Sequence, residues 1–187
     1  MKKWSILQSR YVFETPFFRV RQDHCRLPSG AQLDDYYVIE EHDIGMVFAL
    51  TPALELVLVE QYKHGIGDIC LELPAGLFNG TDPAEAEAEA RREFVEETGY
   101  DADRYYPIAT FIRNPTRQNN YVHVYCAVNI YPAGRQHLDA NEDITVRLVS
   151  MPQAFALIEN GQITSGDSVA SIYVGWDFVR REFGLGK

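Results

Sequence analysis

Four glutamates in one short stretch are the residues whose types and spacing could do chemistry. In Arg92-Glu93-Phe94-Val95-Glu96-Glu97-Thr98-Gly99-Tyr100, Glu93 and Glu97 lie four apart. On a helix they project from one face, with Glu96 on its flank and Glu89 extending the stripe. Like charges at that spacing destabilise an isolated helix, so something should offset them; Arg92, four before Glu96, is well placed to pair with it. Phe94, with Ala90 one turn earlier, would anchor the opposite side in a core. Paired carboxylates are what a hard cation such as Mg²⁺ requires: oxygen ligands, high charge and open positions for substrate phosphates. A solvated acidic helix uses the same residue types, and the alternating Ala84–Ala90 run fits that reading well. Residue types alone leave both open.

These glutamates need elements to position them. A helix is expected over Pro83–Thr98, with Asp82 as N-cap, Pro83 at the first helical position and Gly99 just past the end. A second helix is expected over Pro152–Glu159, stopped by Asn160-Gly161. A third is expected over Ser168–Phe183, where Val169, Ile172, Trp176 and Val179 form one apolar face. Strand-like stretches cover 17–27 and 31–40 around the turn Pro28-Ser29-Gly30, which is a hairpin signal. Others cover Met46–Leu50, Leu54–Glu60, Asp68–Leu73, Tyr105–Arg113, Tyr121–Val128 and Ile144–Val149, with Pro74-Ala75-Gly76 ending the third of these. The pattern predicts a mixed sheet sandwiched by helices, an α/β fold. Residues 1–42 are expected to form a small antiparallel β subdomain and 43–187 the main domain. A sheet that small is marginal alone, and pairing with a second subunit is one way to cover it.

Composition bounds the partners. The chain has 187 residues, 46% hydrophobic and 24% charged, which is ordinary globular composition. Its net charge of −10, from 27 acidic and 17 basic side chains, argues against wrapping nucleic acid or an anionic membrane. It does not exclude a phosphorylated substrate, because bound cations reverse the local field. No apolar run of signal-peptide or membrane-span length is present. Cys25, Cys70 and Cys126 show no metal-ligand spacing and read as buried free thiols in a reducing cytoplasm.

Arg92–Tyr100 resembles the core of the Nudix signature, G-x5-E-x7-R-E-U-x-E-E-x-G-U, and matches every position of its R-E-U-x-E-E-x-G-U half. It follows Glu72-Leu73-Pro74-Ala75-Gly76, which is similar to the entry motif of the ADP-ribose and nucleoside diphosphate sugar pyrophosphatase branch. Leu58-Val59-Glu60-Gln61-Tyr62-Lys63, Asn141-Glu142-Asp143-Ile144 and Gly161-Gln162-Ile163 resemble further motifs of that branch, so the likeness spans nearly the whole chain. Two departures stand out. Gly76 and Arg92 are sixteen positions apart where the signature has fourteen, so Asp82 or Ala84 falls at the first signature Glu. In addition, Ala140 replaces the first Glu of the C-terminal acidic motif, and the loop Asn114–Asn120 has Asn119 and Asn120 but no Glu.

The resemblance implies a Nudix-type α/β/α sandwich and Mg²⁺-dependent hydrolysis of a pyrophosphate bond, with Mn²⁺ as an alternative ion. ADP-ribose or a nucleoside diphosphate sugar would yield a nucleoside monophosphate and a sugar phosphate. It assigns the Ala75 carbonyl, Glu93, Glu97 and Glu142 to the metal. Glu142 ranks ahead of Glu96, Asp139 and Asp143 as base, and Glu96 is alternatively a ligand or a residue that orients water. Coordination alone also lowers the pKa of water, so no strong protein base is required. Lys63, Leu77 and Arg117 are expected at the substrate, with Phe17, Phe18 and Tyr36 stacking on a nucleobase across a homodimer or else packing within the N-terminal sheet. His123 is expected to be structural. Other dinucleotides such as NADH or FAD stay open as substrates, as does a Nudix-fold sensor that binds without turnover. The retained Glu93, Glu96 and Glu97, and the lack of a helix-turn-helix extension, weigh against the sensor.

Overall fold

The computed structural model describes residues 1–78, 80, 83–140 and 142–185. Chain order begins with β1 (Ser5–Glu14), β2 (Arg19–Arg26) and β3 (Gln32–Glu40), which form their own antiparallel sheet in that order. Then follow β4 (Asp43–Leu50), β5 (Glu55–Lys63), β6 (Asp68–Glu72), β7 (Ala75–Phe78) and helix α1 (Pro83–Thr98). After β8 (Tyr100–Asp101) come β9 (Tyr106–Ile112), β10 (Tyr121–Val128), β11 (Tyr131–Pro132), β12 (Ile144–Ser150), α2 (Met151–Glu159) and α3 (Gly166–Phe183). The central sheet runs β12-β5-β4-β10-β9, with β6 on β5 and β7 on β4. It is mixed, because β4 and β10 are parallel while its other pairings are antiparallel.

The expected sandwich is present, and β4 explains it. This strand is buried along nearly all its length, as expected for one covered on both faces. Val47 and Ala49 join Ala86, Ala90, Phe94 and Tyr125 under α1, whereas Met46, Phe48 and Leu50 join Ile172 and Val179 under α2 and α3. On α1, Ala86, Ala90 and Phe94 recur every fourth residue and are all buried. Gly45 lets that helix come close: a Cβ there would lie 2.8 Å from the Ala90 Cβ. Gly99 ends the helix with φ of 72° and donates its N–H to the Val95 carbonyl at 2.8 Å. On α3, Ile172 and Val179 are fully buried and Val169 and Trp176 pack beside them, as the apolar spacing implies.

Several expectations shift. Pro74 does not lead into a loop, because Ala75–Phe78 pairs with β4. This strand forms through tertiary pairing, and its Ala-Gly start carries no strand signal. Ser5–Glu14 is a full strand whose ten residues are all exposed in the single chain. Helix α3 starts at Gly166, capped by Ser165, two residues earlier than Ser168, and α2 starts at Met151 behind a Ser150–Gln153 capping box. Cys25 and Cys126 are buried as expected, but Cys70 is only partly covered. The expected N-cap Asp82 and the motif residue Asn141 lie outside the described residues. Among the described residues no helix is long and apolar enough to cross a membrane.

The N-terminal sheet is held by polar groups as much as by apolar ones. Asp23 is buried and accepts hydrogen bonds from Ser9 Oγ at 2.6 Å and Arg21 Nε at 2.8 Å, while Arg21 also pairs with Glu40. Burial raises the Asp23 pKa, but those hydrogen bonds outweigh it and hold the carboxyl below its usual range. Loop 114–120 joins the sheet to the main domain: Ile39 N–H donates to Arg117 O at 2.7 Å and Tyr36 Oη to Thr116 O at 2.5 Å.

A core prediction follows from α3. A Cβ at Gly175 would run into the ring of the fully buried Phe48. Gly175→Ala should therefore destabilise the protein by about 2 kcal/mol, a fall in Tm of roughly 4–8 °C by thermal melting. An unchanged Tm would show that the Phe48 ring gives way freely.

Candidate active site

The last two turns of α1 and the Leu73–Phe78 segment make the site. Glu97 is 5% exposed, and its Oε2 accepts the Ala75 N–H at 3.2 Å. Glu93 lies over Gly76 so closely that a Cβ there would overlap its side chain, which is why glycine is needed at that position. Arg92 is exposed and spans the outer carboxylates: Nε to Glu89 at 2.9 Å, Nη2 to Glu93 at 2.5 Å and Nη1 to Glu96 at 2.5 Å. It offsets the like-charge crowding expected from the sequence, and these carboxylates hold its own pKa well above the ordinary arginine value.

The electrostatics divide the glutamates. Burial, then the charge of Glu93, pushes Glu97 up to about 8 from its ordinary 4.5, against the opposing Ala75 N–H and Lys63. Glu93 is also raised, chiefly by burial, with Arg92 pulling the other way. Glu142 adds repulsion to both, although its own Oε2 accepts the Asp139 N–H at 2.9 Å. Hard oxygen donors therefore surround a carboxylate that is costly to ionise without a counter-charge. Among the described residues, no group of three His, Cys, Asp or Glu side chains stands ready to hold a metal. A cation here would draw on Glu93, Glu97, the Ala75 carbonyl and a Glu142 that turns inward. That donor set suits Mg²⁺ or Mn²⁺ and gives no soft ligand.

The segment before the site is fixed from three sides. Leu73 N–H donates to Ser168 Oγ at 3.0 Å, Val47 N–H to Pro74 O at 3.0 Å, and Ala75 N–H to Glu97. The loop carrying Glu142 is tied to the end of α1 as well. Gln136 Nε2 donates to Glu97 O at 2.6 Å and Ile144 O at 3.2 Å, and His137 N–H donates to Glu96 O at 2.9 Å. Neither Gln136 nor the Leu73–Ser168 bond is visible in the sequence, because each joins groups distant in the chain.

The expected substrate residues fall into separate groups. Lys63 Nζ pairs with Glu72 at 2.6 Å and borders a cavity of about 700 Å³ with Arg113, Ser165 and Asp167. Leu77 is exposed and opens, with Phe78, Glu89 and Arg92, onto one of about 550 Å³. Arg117 stacks over the Tyr36 ring at 5.6 Å. Phe17 and Phe18 border a third depression of about 320 Å³ with Arg19, His42 and Asn119. Phe17 is 77% exposed, whereas Phe18 is partly buried against Phe13 of β1 and so packs on the N-terminal sheet. Arg113, held by Asp167 at 3.0 Å, is the cation the sequence reading missed. His123 Nε2 meets Asp43 at 2.9 Å beside Phe78, in the structural role expected of it. The three thiols all have raised pKa values from burial, Cys126 up to about 12, so none is poised as a thiolate.

Comparison with known proteins places the chain in a family. Residues 42–170 match the NUDIX domain, and residues 4–39 match the nucleoside diphosphate sugar hydrolase N-terminal domain. The chain is 30% identical over 163 residues to the ADP-ribose pyrophosphatase of Bacillus subtilis, covering 86% of each. It is 25% identical over 168 residues to a methanol dehydrogenase activator of Bacillus methanolicus, covering 89% of each. The crystal structure of an ADP compounds hydrolase superposes with a TM-score of 0.83 at 17% identity, covering 97% of both chains, which shows the shared fold. The chain therefore belongs to the Nudix family of pyrophosphohydrolases and carries ahead of that domain the N-terminal domain of nucleoside diphosphate sugar hydrolases.

Proposed function

We propose that this protein hydrolyses the pyrophosphate bond of ADP-ribose or a nucleoside diphosphate sugar, with Mg²⁺ or Mn²⁺, to a nucleoside monophosphate and a sugar phosphate. The observation that carries this reading is the buried Glu97 carboxylate beside Glu93, a pair whose ionised form needs a cation. The naming of relatives as ADP-ribose pyrophosphatases supports the substrate class. Divalent ions would neutralise the bridging phosphates and acidify the attacking water.

The chain's own residues do the rest. Glu93 and Glu97 from α1 and the Ala75 carbonyl from β7 would hold the ion, and Glu142 would close from its loop. Glu142 would serve there as a further ligand or as the base that takes the proton from water; Glu96 is the weaker candidate because Arg92 already holds its Oε2. Lys63 leaves Glu72 for a phosphate, Leu77 lines the cleft, and Arg117 with Tyr36 holds the ribose or base. Phe17 and Phe18 cover the nucleobase. The apolar residues exposed on β1, among them Ile6, Val12 and Phe13, are covered by a second copy of the chain. Free thiols suit a reducing, cytoplasmic setting.

Incubation with Mg²⁺ and a panel of ADP-ribose, ADP-, GDP- and UDP-sugars, NADH and FAD, with products identified by mass, tests the reading. Nucleoside monophosphate plus sugar phosphate is expected; binding of a nucleotide sugar with no turnover would make the protein a sensor instead. Glu97→Gln should lower kcat by about 10³-fold with the circular dichroism spectrum unchanged. Near-normal turnover in that variant would remove Glu97 from the metal site.

Glu97 also gives a pH signature. Its pKa is higher in the folded protein than in the unfolded chain, so without metal its contribution to stability is full below the unfolded value of 4.5 and is lost as pH rises through about 8. In chelator, stability should fall over that window by up to about 1.4 kcal/mol per pH unit. Mg²⁺ should flatten the fall and Glu97→Gln should remove it. A metal-free melting curve with no such slope would mean that Glu97 ionises freely. Finally, Ile6→Lys with Val12→Lys should convert a dimer to a monomer in sedimentation velocity; a wild-type monomer would refute the pairing through β1.

A further inference from the structure

Ser168 is remote from the acidic helix in sequence and lies on the opposite layer of the sandwich, yet its hydroxyl reaches the segment that leads into the site. It is 0% exposed and its Oγ accepts the N–H of Leu73, itself 1% exposed, at 3.0 Å. Pro74 has no N–H, so Leu73 and Ala75 supply the only backbone donors of this three-residue segment. Both are taken by side chains, from opposite layers: Ser168 of α3 and Glu97 of α1. The Pro74 carbonyl is taken by Val47 N–H of β4 at 3.0 Å. The position of the Ala75 carbonyl relative to Glu97 is therefore set from three directions.

One of those three is conditional. A Glu97 carboxylate that turns toward a cation shares or releases the Ala75 N–H, leaving the Leu73–Ser168 and Val47–Pro74 bonds to keep the segment in place. We infer that Ser168 is a positioning residue for the metal site, holding the Leu73–Ala75 backbone from behind so that the Ala75 carbonyl and Glu97 present their oxygens together. This rests on the assignment of Ala75 and Glu97 as metal ligands made above. Ser171, one turn on, supplies an internal comparison: it is equally buried on the same helix, and its Oγ has no hydrogen-bond partner among the described residues.

The test uses the full chain with Ser168→Ala, Ser168→Cys and Ser171→Ala. Three quantities are read: Leu73 amide exchange by NMR, Mn²⁺ affinity by titration without substrate, and kcat and KM. Losing the acceptor should speed Leu73 exchange, weaken Mn²⁺ binding and lower kcat, each by about tenfold in Ser168→Ala, with KM within about twofold. Ser168→Cys keeps a weak acceptor of similar size and should fall between wild type and alanine, which reads the effect even if alanine folds poorly. Ser171→Ala should match wild type in all three. A Ser168 series that changes only Tm would overturn the proposal. Equal losses in Ser171→Ala would also overturn it, since they would assign the effect to α3 packing. A wild-type protein that binds no Mn²⁺ and cleaves nothing in the panel would instead locate the failure in the functional reading itself.

Discussion

Holding the Glu97 carboxylate out of water, one turn from Glu93 and at the C-terminal end of a helix, is the constraint to which the rest of the architecture answers. Several effects oppose ionisation there, the charge of Glu142 among them. Burial strips solvent, Glu93 repels, and the last turn of α1 carries the negative end of the helix dipole with no basic residue to meet it. The Ala75 N–H and the charge of Lys63 act in the other direction. A helix built against its own electrostatics is stable because its other face is buried: Phe94, Ala90 and Ala86 pack on the sheet, and Arg92 ties down the outer carboxylates. The same arrangement favours a cation twice over, through the carboxylates and through the dipole.

That constraint accounts for the small residues around it. Gly45 allows α1 to settle against β4, and Gly76 leaves room for the Glu93 side chain. A Cβ at the first would press on Ala90 and Ala86 of α1, and a Cβ at the second would force the Glu93 side chain to move. The strand β7 exists because this backbone must be rigid as well as close, and pairing with β4 makes it so. The segment that meets Glu93 and Glu97 is thus part of the sheet instead of a loop beside it.

What was legible in the sequence follows from the range of the interaction. Glu93, Glu96, Glu97 and the Arg92 pairing are local to one helix, so spacing put them on one face and the resemblance singled them out. Spacing alone gave the Ala90–Phe94 anchor and the apolar face of α3. Strand β7 was not legible, because Ala-Gly-Leu-Phe has neither alternation nor β-branched residues and pairs only through β4. Strand β1 was missed although it carries Ile6, Tyr11, Val12 and Phe13, because polar and apolar types do not alternate cleanly on a strand exposed on both faces. Ser168 and Gln136 reach backbone groups on other elements, and nothing about a lone Ser or Gln in a chain announces a buried acceptor or a bridging donor. Cys70 looked buried because its neighbours are apolar, yet it sits on β6, where Ile69 itself is exposed.

The altered loop at 114–120 can be read with the same distinction between local and distant partners. Two asparagines stand where the resemblance would place a glutamate. Asn120 is 1% exposed and donates Nδ2 to the His42 carbonyl at 3.0 Å, so it holds the loop against the start of β4. A glutamate at that buried position would bring a charge out of water and would lose the donor that His42 uses. Asn119 instead faces the depression formed by Phe17, Phe18 and His42. Of the two replacements, the one at 120 therefore ties the loop to the fold, and the one at 119 borders an open depression. The loop keeps its place by bonding to β3 through Tyr36, Ile39 and Arg117. The loop is thereby tied to the N-terminal sheet, while the acidic cluster is tied to α1 and β7, so the two are held by separate sets of contacts.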